Sequence, residues 1–281
     1  MFGKLSLILL LSLAMVNPFA ADFALAGTDP IPAGEAGAKS ALEKSPRHHE
    51  WVYIAVPGTD VKLSTFVAYP ERKDKAAVVI VIHEVFGLTD WVRAVADELA
   101  ADGFIAIAPD LLSGRGPGAG ATEAFASRDD VVKAVRDLAQ NQVVKMLDAV
   151  KTYATSLPAA TGKFASVGFC WGGAQSFYYA TAQPDLRAAV VFYGTSPPLA
   201  ALAAIRAPVL GLYGEDDERV TATIAPAAEK MKELGKIYVT HLYKGAGHGF
   251  LRAQEDRNGA NLEASREAWP AVIEFLRKNL E

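Results

Sequence analysis

Gly168-Phe169-Cys170-Trp171-Gly172-Gly173 is the stretch that decides how the rest of the chain is read. It stands between residues 163–169, which read as a strand, and residues 172–182, which read as a helix. A strand turning directly into a helix forces its central residue into a strained backbone. Small residues two positions to either side let the two elements approach closely. The central side chain is then held above the sheet at a helix N-terminus, whose partial positive charge favours a thiolate. The pattern is G-x-S-x-G with Cys in place of Ser. A buried structural cysteine in a Gly-rich turn is the competing reading, because free Cys is among the most buried residue types.

Outward from this turn, apolar runs alternate with amphipathic ones. Residues 51–56 and 60–69 read as a β-hairpin around Pro57-Gly58, and residues 76–83 as a strand buried on both faces. Thr89 or Asp90 caps a helix carrying Val92, Val95 and Leu99, which Gly103 ends. Residues 104–108 read as a strand and residues 129–157 as one long amphipathic helix. Strands follow at 188–193, 208–213 and 237–243, with helices at 221–234 and up to Leu280. Pro270 either kinks the last helix or opens a shorter one. The alternation predicts a single-domain α/β fold, with a mostly parallel central sheet and helices on both faces. Ligands of such sheets bind beyond the carboxyl ends of the strands, so the chemistry is expected there.

The chain has 281 residues, 51% of them hydrophobic and 21% charged, enough to bury one large core. A net charge of −4 without basic clusters argues against nucleic acid as a partner. Lys4 followed by an apolar run over residues 5–16, shorter than the roughly 20 residues of a spanning helix, reads as a signal peptide over 1–26. Cleavage would follow Ala24-Leu25-Ala26, leaving an exported protein, periplasmic or secreted, with no stable membrane anchor. Residues 27–50 read as a flexible lead-in and residues 51–281 as the folded domain. The single Cys cannot form an internal disulfide, so Cys170 is either inert or a working thiol.

Two further strand ends carry chemistry. Residues 210–214 end in Glu215-Asp216-Asp217, and Lys244-Gly245-Ala246-Gly247-His248 follows the last strand. Nucleophile, acid and His in this chain order fit a hydrolase of the G-x-S-x-G type, with Asp216 and Asp217 both open as the acid. His83-Glu84 begins like the zinc motif H-E-x-x-H, but residue 87 is Gly, so no second ligand lies a turn away. No metal or other cofactor is implied.

Residues 79–88, 108–110, 168–173, 214–220 and 243–252 together resemble the dienelactone hydrolase family, over a match from about residue 51 to the end. The resemblance implies Cys170 as nucleophile, His248 as base and Asp217 as acid, the last because Val220 stands three residues after it. It also places Glu84 beside the resting thiol and Arg252 on a substrate carboxylate. Arg115 stands near the family's second carboxylate-binding arginine, although Gly114 occupies the matching site. By analogy, the backbone N–H groups of Val85 and Trp171 form the oxyanion hole. The implied partner is a small-molecule ester or lactone. A thiol is a good leaving group, so the acyl groups it can retain are those of enol lactones, aryl esters and thioesters. A general aryl-ester or thioester hydrolase without carboxylate recognition, and a non-catalytic binding member of the fold, are the alternatives.

Overall fold

In the computed structural model, which describes residues 31–281, the apolar runs become the strands of one eight-stranded sheet. β1 (His49–Ala55) and β2 (Lys62–Ala68) pair antiparallel. β3 (Ala76–Ile82) is buried at every position, as an unbroken Ala/Val/Ile run requires of a strand covered on both faces. β4 (Ile105–Pro109), β5 (Ala160–Phe169), β6 (Ala189–Phe192), β7 (Val209–Gly214) and β8 (Tyr238–Tyr243) complete the sheet. The order is β1-β2-β4-β3-β5-β6-β7-β8; β2 meets β4 antiparallel, and every pairing from β4 to β8 is parallel. All the strands from β3 onward therefore end on one side.

The helices are α1 (Glu35–Lys44), α2 (Asp90–Ala101), α3 (Arg128–Arg136), α4 (Gln140–Ser156), α5 (Trp171–Ala182), α6 (Glu218–Thr221), α7 (Ile224–Glu233) and α8 (Ala260–Leu280). One core cluster joins α2 and α8 to the sheet through Trp91, Phe169 and Trp269. A second joins α4, α5 and α7 through Leu147, Phe177 and Met231. Among the described residues no helix is long and apolar enough to cross a membrane.

Three departures from the sequence reading have physical causes. The helix expected over 129–157 is two helices: the first is capped at Asp137, Leu138 turns into the core, and Ala139 is extended with ψ 137. The helix expected over 221–234 is divided at Ala222 and Thr223 into α6 and α7. Pro226 favours that break: in a continuous helix its ring would crowd the carbonyl of residue 222, whereas the first turn of α7 accepts it. Pro270 lies inside α8 on its exposed side, so it does not open a shorter helix.

The stretch expected as a flexible lead-in is ordered where it is described. Within it α1 buries Ala38, and residues 45–49 are fastened to α2 through Asp97. Ser45 Oγ donates to Asp97 at 2.7 Å, Arg47 Nε at 2.8 Å, and His49 Nε2 lies at 2.6 Å. The other Arg47 nitrogen closes a bidentate pair on the second oxygen. The expected signal segment, residues 1–26, lies outside the described residues.

Burial works against the charge of Asp97, but the hydrogen bonds from Arg47, Ser45 and His49 outweigh it and hold the carboxyl below the ordinary carboxylate range. A depressed acid stabilises the fold above its ordinary pKa, and that contribution is lost as pH falls through the folded value. Asp97→Ala should therefore cost about 3 kcal/mol in urea unfolding at neutral pH, because it strands Arg47 half-buried. The gap from wild type should narrow as the pH is taken below the carboxylate range.

Candidate active site

The turn after β5 holds Cys170 at φ 55 and ψ −116, a conformation that costs a side-chain-bearing residue of order 1–3 kcal/mol. Backbone packing enforces it. A Cβ at Gly168 would lie 1.9 Å from the carbonyl oxygen of Gly172, and one at Gly172 would lie 2.3 Å from the carbonyl oxygens of Ile82 and His83. The Cys170 N–H donates to the Phe192 carbonyl at 3.0 Å, fixing the turn to β6.

His248, in the loop after β8, brings Nε2 to 3.0 Å from Cys170 Sγ. Its Nδ1 lies 2.5 Å from Asp217 Oδ2. A carboxylate only accepts, so Nδ1 carries the proton and Nε2 faces the sulfur. Asp217 is buried at the end of β7, whereas Asp216 is exposed and pairs with Arg257 at 2.7 Å. The carboxylate in contact with the His is thus that of Asp217. Burial opposes a charge on His248, but the hydrogen bonds and charges of Asp217 and Cys170 outweigh it and push the ring up to about 9.

The loop after β3 supplies the facing wall. His83 is fully buried, and burial pushes its pKa down. Its Nδ1 lies 2.7 Å from the Glu84 carbonyl, which accepts, and Leu111 N–H donates to its Nε2 at 3.3 Å, so the neutral ring is protonated on Nδ1. The ring stacks on Trp171 with centroids 5.5 Å apart. His83 therefore braces the loops after β3 and β4, the part it plays in place of a metal ligand. The N–H groups of Val85 and Trp171 make no hydrogen bond among the described residues, and both residues line the cavity that holds Cys170. That of Trp171 is the first N–H of α5, which a helix leaves without an internal acceptor.

Glu84 is buried, which pushes its pKa up, and Arg252 lies beside it with Nε 2.8 Å from Oε2. The N–H of that nitrogen points elsewhere, so the contact is ionic rather than a hydrogen bond. No hydrogen bond joins Glu84 to Cys170; the thiol faces His248 instead. Arg252 also pairs with Glu35 of α1. Arg115 does not join the site. It is exposed, donates to Gln142 at 2.7 Å and is absent from the cavity wall. Its loop closes on itself through bonds from Gly114 and Gly116 to the Gly120 carbonyl, which aims Arg115 at α4.

The cavity, of about 540 Å³, has walls that the sequence reading missed. Arg136 ends α3 and Arg219 lies in α6; neither has an ion-pair partner among the described residues. Tyr193 follows β6 at φ 39, fully buried, with no hydrogen-bond partner for its hydroxyl among the described residues and its ring edge-on to His248 at 5.2 Å. Its place at a strand end, between Phe192 and Gly194, was the available signal.

An eight-stranded sheet in this order, with a strained Cys between strand and helix and an Asp-His pair reaching it from later strand ends, defines an α/β-hydrolase. The sequence profile of the dienelactone hydrolase family matches residues 63–280. A Saccharolobus solfataricus protein provisionally named carboxymethylenebutenolidase is 31% identical over 250 residues, covering 77% of this chain and 94% of that protein. One of the same provisional name from Methylorubrum extorquens is 29% identical over 237 residues, covering 80% of each. A Klebsiella pneumoniae crystal structure, provisionally named dienelactone hydrolase, superposes with a TM-score of 0.70 at 26% identity, covering 82% of this chain and 99% of that one. The chain belongs to the dienelactone hydrolase family, and it is a hydrolase of that type acting on a small molecule.

The raised His248 gives a direct check. Followed by NMR of the imidazole carbons, its titration should lie near 9 in the wild type, and it should fall in both Cys170→Ala and Asp217→Asn, each of which removes a group that raises it.

Proposed function

We propose that this protein hydrolyses activated carboxylic esters and lactones through a Cys170-His248-Asp217 triad and a thioester intermediate. The observation that carries the reading is the unbroken line from Asp217 through His248 to Cys170 Sγ, with contacts of 2.5 and 3.0 Å. With the proton of Cys170 held on His248, whose ring is raised to about 9, the thiolate adds to the acyl carbon. The N–H groups of Val85 and Trp171 take the oxyanion, each such donor being worth roughly 2.7–4 kcal/mol in the barrier. The leaving oxygen departs with the proton from His248, and the acyl group stays on sulfur as a thioester. Water then adds with His248 as base, releasing the acid and restoring the thiol.

The leaving group limits what enters this cycle. From the tetrahedral adduct a thiolate is expelled more readily than an alkoxide, so plain alkyl esters revert to starting material. Enolates, phenolates and thiolates leave fast enough. A dienelactone opens to an enolate that remains part of the acyl chain, and it fits this limit. Activation of the acyl group, rather than a carboxylate on the substrate, sets the class: Arg252 already faces two carboxylates and Arg115 points away. Export under the signal read at residues 1–26 completes the proposal; full-length protein retained in the cytoplasm would reject it.

Cys170→Ala should lower kcat for p-nitrophenyl acetate by roughly 10³-fold or more, and His248→Ala by a comparable factor, because nucleophile and base act as a unit. Near-wild-type turnover by either folded variant would reject the assignment. Rapid-mixing acylation rates should be far higher for p-nitrophenyl than for ethyl esters of one acid, and equal rates would remove the leaving-group argument.

A further inference from the structure

Arg252 stands between two cavities. One holds Cys170; the other, of about 450 Å³, is lined by Gly34, Glu35 and residues 252–256. From the second side Glu35, the first residue of α1, pairs with Nη1 of Arg252. The approach is fixed by the backbone: Glu35 N–H donates to the Arg252 carbonyl at 2.9 Å, and Gln254 Nε2 donates to the Pro32 carbonyl at 2.8 Å. Arg128 holds the other Glu35 oxygen at 3.3 Å and stands 3.6 Å over the ring of Phe86, a residue of the Cys170 cavity. Glu35 lies outside the segment that the family profile matches.

One positive charge is thus flanked by two carboxylates, Glu84 inside and Glu35 outside. A bidentate grip on a third carboxylate needs two adjacent guanidinium nitrogens, and two of the three already face acids. We propose that Glu35 is a specificity-determining residue: a tethered carboxylate that takes up the charge of Arg252, so that the site selects neutral activated esters over substrates presenting a carboxylate there. This rests on Cys170 being the hydrolytic nucleophile.

The test uses the full chain, wild type and Glu35→Gln, with a matched pair: a butenolide bearing an exocyclic carboxymethylene group, and its methyl ester. Glu35→Gln should lower KM for the acid roughly tenfold, the scale of one charge-assisted hydrogen bond. It should move KM for the methyl ester by less than about twofold and leave kcat of both in place, which also shows that the variant is folded. In an Arg252→Ala background the same substitution should change neither. An unchanged acid-to-ester ratio overturns the proposal. So does a raised KM for the acid, which would make Glu35 a residue that orients Arg252 for the substrate. If the wild type cleaves neither compound, turnover of p-nitrophenyl acetate decides the hydrolytic reading. The proposal is then decided by calorimetric binding of 2-furoate: tighter binding to Glu35→Gln supports it and equal binding overturns it.

Discussion

The contact of backbone on backbone at Gly168 and Gly172 is the constraint on which the other features depend. With no side chain at either position, β5 runs into α5 without an intervening loop, and Cys170 is forced to φ 55 at their junction. That junction sets the sulfur above the sheet and leaves the first N–H of α5 unpaired beside it. The same close approach seats α5 against the carbonyls of Ile82 and His83, so the loop carrying Glu84 and Val85 is held in register with the thiol. Strain at one residue is maintained by contacts that span three strands.

Around this rigid centre the charges are paired unevenly. Asp217, His248 and Cys170 form a line that is buried at the Asp and reaches the cavity at the His and the partly exposed Cys. Beside it Glu84 and Arg252 form a second pair, whose outer partner comes from the other end of the chain. Among the described residues no hydrogen bond runs from Glu84 to the thiol, whose partner is His248. Tyr193 lies between them, its phenol buried with no hydrogen-bond partner among the described residues.

What could be read in the sequence was what local pattern encodes. Continuous Val/Ile runs and strand-end glycines placed the strands, and the order Cys170, Asp217, His248 placed the central line. The gap between α3 and α4 left no such mark, because the apolar spacing through Val131, Val135, Val143 and Leu147 continues across it with no Gly or Pro. Arg115 was placed by spacing along the chain, whereas its direction is set by the closure of a Gly-rich loop. Arg252 and Glu35 meet across 217 positions, and no periodicity in α1 announces the contact. Tertiary packing decides such residues, so only coordinates reveal them.

The break before α4 gives α3 a mechanical character of its own. It is a nine-residue rod, about 13 Å long. Its first residue, Arg128, grips α1 through Glu35, and its last, Arg136, borders the space above Cys170. One short rigid element therefore carries both a residue of the cavity wall and an ion pair to α1.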